Sequence, residues 1–89
     1  MNSLFKALSD PNRREILDLL KTKSMSVLEI KSHFDISQEA ISHHLSVLKK
    51  ADLVSSQRQW QFVFYSLNTS VFEDLISYFL SLYHKKNDK

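Results

Sequence analysis

Hydrophobic positions between residues 37 and 50 repeat with the period of a helix. Ile41, Leu45 and Leu48 lie at i, i+4 and i+7 and form one apolar stripe. Ser37 is a favourable N-cap because its hydroxyl can accept a free first-turn N–H. The opposite stripe is polar and ends in two lysines; it contains Gln38, Glu39, Ser42, His43, Ser46, Lys49 and Lys50. The pattern predicts an amphipathic helix over this whole stretch.

The polar stripe of this helix combines small polar groups with terminal cations. Such a surface suits the DNA major groove, because the polar groups can reach base edges while the cations reach phosphates. An ordinary solvated surface has the same pattern, so both interpretations are open at this point. His44 lies about 100° from His43 around the helix, on the apolar stripe, and we interpret it as a packing residue.

Three shorter helices are predicted before this one. Residues 2–8 carry an apolar face that contains Leu4, Phe5 and Leu8. Asp10-Pro11 is a favourable start for a second helix, since aspartate caps well and proline is tolerated at the first position. Ser26-Val-Leu-Glu29 has the spacing of a capping box and opens a third helix to about His33. The third and fourth helices, joined by about three residues, match the spacing of a helix-turn-helix.

The turn between the third and fourth helices and the arginines at the start of the second helix are both locally unfavourable. The chain has no glycine, so Asp35 is expected to supply a positive φ in the turn of the helix-turn-helix. Arg13 and Arg14 lie in the first turn of the second helix, where the helix dipole disfavours cations. For Arg14 we favour an ion pair with Asp10 or Asp18, each four residues away, over a phosphate contact.

The period of the pattern changes after the fourth helix. Residues 53–57 and 62–67 are rich in β-branched and aromatic residues and flank a polar segment, Arg58–Gln61, which predicts a hairpin. Ser70-Val-Phe-Glu73 has a second capping-box spacing and opens the last helix, to about residue 84. The predicted fold is mainly α with a small β-hairpin, in the order of four helices, two strands and a final helix.

The last helix carries a broad apolar stripe, to which the first helix adds its own apolar face. A small monomer would expose much of this area, and exposed patches of that size usually mark interfaces. Packing of both helices on the core of one monomer is a partly compatible alternative. We predict a homodimer through the first and last helices, with interface residues Leu4, Phe5, Leu8, Phe72, Leu75, Ile76, Phe79 and Tyr83.

Composition excludes several classes of function. The 89 residues make one small domain, and the net charge of +2, with a pI near 9.0, permits a polyanionic partner. There is no cysteine nucleophile, no glycine for a phosphate loop and no Ser, His and acid set at a telling spacing, so no enzyme is expected. No apolar run has transmembrane length, and a cytoplasmic protein is expected.

Three motifs follow one another along nearly the whole chain. They are Ala7-Leu-Ser-Asp-Pro-Asn-Arg13, Ser37-Gln-x-Ala-Ile-Ser-His-His-Leu-x-x-Leu48, and a hairpin that runs into Tyr65-Ser-Leu67. They resemble the ArsR-type winged helix-turn-helix repressors. Within that family the Ser-His-His-Leu core, the Tyr-Ser-Leu-Asn strand end and the absence of cysteine are similar to the Sdp-type autorepressors.

The resemblance implies a homodimeric bacterial repressor that binds a palindromic operator on double-stranded DNA, often in its own promoter. The single domain, residues 1–89, would use residues 37–50 as recognition helix and residues 53–67 as wing. Residues 2–8 and 70–84 would form the dimer.

The resemblance also implies which side chains contact DNA. Gln38 matches a base-contacting position and can pair with adenine. Ser42 and His43 match two further positions and can bond to a base or a phosphate, and Ser46 lies on the same polar stripe. The phosphate candidates are Lys49, Lys50 and Arg58, the last at the tip of the wing.

Three residues depart from the pattern of the family. Glu39 either caps the helix or reads a cytosine, and we favour capping. Trp60 stands where the wing usually turns on glycine, so a tight primed turn is not expected. The indole would either pack back on the strands or lie against the DNA backbone. Asp52 replaces a usual glycine after the recognition helix and would have to form that turn.

The metal ligands of the family's sensors are missing from this chain. Asp74 and His84 could share a metal only across a dimer, so neither a metal nor a cofactor is predicted. The alternative function is a protein-interaction module controlled by sequestration by a membrane or soluble partner protein, rather than by DNA or a small ligand. The intact polar stripe on residues 38–50 favours the repressor.

Overall fold

The computed structural model describes residues 2–87, with the side chains of residues 2–84. Five helices and three strands follow one another in this range. They are α1 (Asn2–Leu8), α2 (Pro11–Leu19), β1 (Met25–Ser26), α3 (Val27–Lys31), α4 (Gln38–Lys50), β2 (Val54–Gln59), β3 (Phe62–Leu67) and α5 (Thr69–Asn87). The mainly helical architecture with a β-hairpin agrees with the prediction, and α4 has the predicted bounds after its Ser37 cap.

The hydrophobic core lies between α1, α2, α3 and α4, and the start of β2 and the first half of α5 close it. The apolar stripe of α4 is fully buried, as its period predicted. Burying each such aliphatic side chain contributes about 2 kcal/mol relative to leaving it in water. The largest side chains without exposed surface are Ile16, Ile30, Ile41, Leu45, Leu48 and Leu53.

A third strand extends the predicted two-stranded wing. Strand order is β1-β3-β2, and both pairings are antiparallel. Met25 pairs with Tyr65 and Ser26 with Phe64, so the chain entering α3 is bonded to the central strand of the sheet. The prediction of a two-stranded hairpin was therefore incomplete. A strand of two residues has no alternation to detect, and its partner lies about 40 residues away in sequence.

Most of the predicted helix caps are present. Asp10 Oδ1 accepts the N–H of Asn12 at 2.8 Å and so caps α2. Ser26 and Glu29 form the complete capping box, and the Ser37 hydroxyl accepts the N–H of Ala40 at 3.1 Å. The second predicted capping box is wrong by two residues: α5 begins at Thr69, so the cap position is Asn68 and the predicted cap Ser70 lies inside the helix.

Within the described chain, Asp52 and Trp60 have a positive φ, and Asp35 does not. The prediction for Asp35 is wrong because the end of α3 tightens through i→i+3 bonds, with the N–H of Phe34 donating to Lys31 at 3.0 Å. Asp52 does form the turn after α4, at a φ of 61°. The N–H of Leu53 donates to Leu48 and that of Asp52 donates to Lys49, which is the Schellman motif.

Arg13 is a buried cation that joins three helices. Its side chain is 8% exposed, and Nε donates to the carbonyl of Ala7 at 2.8 Å. One terminal nitrogen donates to the carbonyl of Lys6 at 3.2 Å, and the other lies 3.1 Å from Nδ1 of His44 on α4. The two carbonyls belong to the last turn of α1, where a helix carries unpaired acceptors and partial negative charge.

Arg14 also binds the C-terminal end of α1. Its guanidinium donates to the carbonyl of Leu8 at 2.8 Å. The predicted ion pair with Asp10 or Asp18 is wrong, since within the described residues Asp18 pairs with Lys21 and Asp10 caps α2. The cations that looked misplaced at the start of α2 therefore stabilise the C-terminus of α1.

His44 packs against α2, as its position on the apolar stripe predicted, but it also accepts a hydrogen bond. A guanidinium has no acceptor, so Nδ1 of His44 accepts from Arg13 and the ring proton lies on Nε2. Partial burial lowers the pKa of His44 below its ordinary value of 6.5; Asp10 opposes this, while Arg13 and His43 lower the pKa further. The neutral ring is the form that this contact requires.

α5 extends beyond the body of the molecule. Leu75 is the last buried side chain among the described residues of this helix. A helix of 19 residues is about 28 Å long, and the longest dimension of the structure is 54 Å. None of the described helices has both the length and the apolar composition that crossing a membrane requires.

Replacing Arg13 with alanine should lower the free energy of unfolding by about 2–3 kcal/mol, because it leaves acceptors on α1 and α4 unpaired. Arg13→Lys should recover only part of the loss, since one ammonium cannot reproduce the spread of a guanidinium. Urea denaturation measures both values. Arg14→Ala is the control, because its exposed bond should contribute within about 0.5 kcal/mol. Equal losses for the two alanine variants would contradict a special role for Arg13.

Stability should fall as the pH is lowered below about 6.5, and His44 should be one cause. Because its folded pKa is depressed, the unfolded chain binds more protons in this range, so acidification favours unfolding. His44→Gln retains an acceptor for Arg13 without a titrating ring and should flatten this dependence in urea melts at a series of pH values. His43→Gln is the exposed neighbouring control, and a similar flattening in that variant would exclude the assignment.

Candidate nucleic-acid interface

The polar stripe of α4 faces solvent along its whole length. Its opposite stripe is buried in the core, so the helix can present only this side to a ligand. No acidic side chain follows the first turn, and the last turn carries two lysines. The predicted DNA-contacting residues of the helix are all exposed, namely Gln38, Ser42, His43, Ser46, Lys49 and Lys50.

Glu39 is the one carboxylate on this side of the helix. It lies exposed in the first turn, where the positive end of the helix dipole favours an anion. Ser37 provides the side-chain cap by accepting the N–H of Ala40. Glu39 therefore acts on the helix terminus through its charge.

A hydrogen bond connects α4 directly to the hairpin. Nζ of Lys49 donates to the hydroxyl of Ser56 on β2 at 2.7 Å. The C-terminal end of the polar stripe and the first strand of the wing thus form one continuous polar surface. The spacing of residues along the sequence could not reveal this contact, because it joins two different elements.

The wing projects beyond the core and is largely exposed at its free end. Arg58 is exposed and pairs across the sheet with Val63, close to the tip. Gln59 pairs with Phe62, so the loop consists of only two residues, Trp60 and Gln61. The predicted location of Arg58 near the wing tip therefore agrees with the structure.

The expectation of a loose turn at the wing tip is wrong. Trp60 has a φ of 64° and Gln61 does not have a positive φ, a combination typical of a type II′ turn. The Trp60 side chain is 95% exposed, so it does not pack back on the strands. Nothing in residue propensity predicts a tryptophan at this position, since glycine is the usual choice there.

The predicted dimer residues fall into two groups. Leu4 and Leu75 are buried in the core of the single chain, and Leu8 and Phe72 pack partly against it. These four therefore contribute to the core of the single chain, which is the partly compatible alternative, and their part in a dimer stays a prediction. The members that remain exposed are Phe5, Ile76, Phe79 and Tyr83, with Tyr78, Leu80 and Leu82 as exposed neighbours on α5.

A cavity of about 310 Å³ lies between α1, the end of α4 and α5. Its charged groups are Lys50, Asp52 and Asp74, and its apolar wall includes Leu75. Across the residues that the structure describes, no three His, Asp or Glu side chains gather into a metal site.

Known proteins are similar to this chain in both sequence and fold. A family model described as bacterial regulatory protein, arsR family, matches residues 10–56, which is more than half of the chain. The transcriptional repressor SdpR of Bacillus subtilis (strain 168) is 52% identical over 85 residues, covering 96% of this chain and 94% of that protein.

Solved structures give the same result for the fold. The ArsR-like transcriptional regulator from Rhodococcus sp. RHA1 matches with a TM-score of 0.89 and 26% identity, over 97% of this chain and 79% of that one. The homodimeric winged helix-turn-helix DNA-binding domain of Mb0332 from Mycobacterium bovis matches in fold, with a TM-score of 0.76 and 24% identity, over 96% and 79% of the two chains. The predicted winged helix-turn-helix fold is confirmed, and so is the predicted similarity to transcriptional repressors such as SdpR. The chain therefore belongs to the arsR family of bacterial regulatory proteins.

Proposed function

We propose that the protein is a homodimeric transcriptional repressor that binds a palindromic operator, including one in its own promoter. The observation that carries this proposal is the exposed polar side of α4, which ends in lysines and continues through the Lys49–Ser56 hydrogen bond into the wing. The similarity to the repressor SdpR supports repression rather than another regulatory role. A DNA-binding repressor of this kind would work in the cytoplasm.

Base recognition is assigned to the first three turns of α4. Gln38 can pair bidentately with adenine, and Ser42 can bond to several base edges. His43 lies one position further along the same side and can donate to a base or a phosphate. Ser46 completes the row at the third turn. All four side chains are exposed, and the buried stripe beneath them fixes the helix so that they can enter the major groove together.

Phosphate contacts are assigned to the cations at the end of α4 and on the wing. Lys49, Lys50 and Arg58 are exposed, and none of them forms an ion pair among the described side chains. They can therefore neutralise phosphates without first breaking a salt bridge. Such contacts supply affinity and register but carry no sequence information themselves.

A dimer would cover the exposed apolar residues of α5. Ile76, Phe79 and Tyr83 lie at i, i+3 and i+7 and are each about half exposed or more in the single chain. Phe5 of α1 adds a further exposed ring at 46%. A two-fold axis through this surface would set two recognition helices about 34–36 Å apart, one turn of DNA, which is why a palindromic site is expected. The homodimeric Mb0332 domain, which shares the fold, is consistent with this arrangement.

The alternative of a protein-interaction module without DNA binding is not favoured. Such a module would have no need of an exposed row of small polar side chains that ends in lysines, and α4 presents that row. Capture by a membrane or soluble partner protein is compatible with the repressor as a means of releasing the promoter. No metal or cofactor is assigned to the control of binding.

The repressor should bind the DNA upstream of its own gene at least 10³-fold more tightly than random DNA at one physiological salt concentration. Fluorescence anisotropy of labelled duplexes measures both affinities. The free protein should have the mass of a dimer in light scattering at micromolar concentration. Equal weak binding to both duplexes, or a monomeric mass, would count against the proposal.

His43→Ala and Lys49→Ala should weaken binding in different ways. Loss of a base contact at His43 should cost about 1–3 kcal/mol on the operator and much less on random DNA. Loss of a phosphate contact at Lys49 should weaken both DNAs similarly and reduce the salt slope by about 1. Anisotropy titrations at several salt concentrations separate the two effects.

Ser56→Ala is the matched control for Lys49, because it removes the hydrogen bond to Nζ and leaves the charge in place. The salt slope of this variant should not change. An unchanged salt slope for Lys49→Ala would show that Lys49 does not contact a phosphate. Equal losses of affinity on both DNAs for His43→Ala would show that His43 contacts a phosphate rather than a base.

A further inference from the structure

The tip of the wing carries the most exposed large apolar side chain of the described residues. Trp60 is 95% exposed and is the only tryptophan in the sequence. Glutamines flank it on both sides, at 59 and 61. An indole left in water at the end of a projecting hairpin contributes nothing to the core, so its place in the structure has to be explained by a ligand or by the backbone.

The backbone does not favour tryptophan at this position. Its φ of 64° lies in the left-handed region, which costs a residue with a Cβ atom about 1–2 kcal/mol. Glycine would occupy the first position of this turn without that cost. Residues held in such conformations cluster at functional sites, where the position of the side chain is what matters.

Charge and continuity point to DNA as the ligand of this tip. Residues 54–67 contain no carboxylate, and their single charged side chain is Arg58, two positions before Trp60. The hairpin is joined to the recognition helix through Lys49 and Ser56. A partner that meets α4 would therefore meet a surface on the wing that nowhere repels phosphate.

The length of the hairpin matches the geometry of a duplex. Trp60 is the fourth residue after Ser56, and four steps of about 3.3 Å span about 13 Å. Half a turn of DNA, the distance along the axis from a major groove to the next minor groove, is about 17 Å. With an indole added to the backbone span, the hairpin is long enough for its tip to reach the minor groove next to a helix seated in the major groove.

We propose that Trp60 inserts into the minor groove that flanks each operator half-site, as an apolar wedge between the two glutamine amides. Apolar wedges in the minor groove partly unstack base steps, and amides can bond to the acceptors on the groove floor. The base pairs beside each half-site would then contribute to recognition, because the energy needed to unstack a base-pair step depends on its sequence. This inference rests on the proposed function and extends it to base pairs that α4 cannot reach.

The test compares a duplex that includes about five base pairs of flank on each side with one truncated before the flanks. Truncation should cost the wild-type protein about tenfold more affinity than it costs Trp60→Gly, the size expected for one stacking contact. Anisotropy of labelled DNA measures the affinities. The emission of the single tryptophan should be quenched by the long duplex and not by the truncated one.

Glycine is chosen because it removes the indole from a turn that glycine itself prefers, so the variant should fold at least as well as the wild type. Asp52→Gly is the matched control. It places glycine at the other positive φ, away from the tip, and should lose affinity on truncation as the wild type does. Trp60→Phe, which keeps an aromatic ring, should lie between glycine and tryptophan.

Equal truncation losses for wild type and Trp60→Gly, with unchanged tryptophan emission, would overturn the inference and leave the proposed repressor intact. The exposed tip would then be a surface for a protein partner. Absence of any preference of the wild-type protein for its upstream DNA would overturn the proposed function and this inference with it.

Discussion

The guanidinium of Arg13 is the contact on which the relative positions of α1, α2 and α4 depend. It takes up the last carbonyls of α1 and at the same time bonds to His44 on the recognition helix. A buried cation usually needs a carboxylate, and here the negative end of a helix dipole and a neutral imidazole take that role. Because three acceptors share one rigid fork, α1 cannot move relative to α4 without leaving a buried charge unsatisfied.

This arrangement connects the helix that carries Phe5 to the helix that carries the proposed DNA surface. α1 carries Phe5 toward solvent, while the opposite end of the Arg13 contact lies on α4 at His44, next to His43. The two helices are therefore joined by one buried hydrogen-bonded group rather than by a flexible linker. The core of the single chain takes up Leu4 and Leu75, so Phe5 and the exposed residues of α5 are the ones that the proposed dimer would cover.

The elements of the fold could be predicted wherever local signals agree. The stripe of Ile41, Leu45 and Leu48, with its serine cap, predicted the recognition helix, and the exposure of the polar side follows from the same period. The two-residue strand β1 could not be predicted, since it exists only through pairing with β3. Arg13 and Arg14 looked unfavourable at the start of α2 because their acceptors belong to another helix. The turn at Trp60 violates residue preference, so no propensity could indicate it. Sequence thus predicted which side chains of the candidate site face outward, but not how Lys49 connects them to the wing.

The pairing of Met25 and Ser26 with the central strand of the sheet has a consequence for the entropy of binding. A free two-stranded hairpin is marginally stable in water and would lose conformational freedom when it docks on a partner. Here the strand at the base of α3 and the lysine at the end of α4 both hold the wing before any ligand arrives. The ordering of the wing is completed during folding, so little of the association energy has to be spent on it. The helix and the wing meet their target as one preorganised surface.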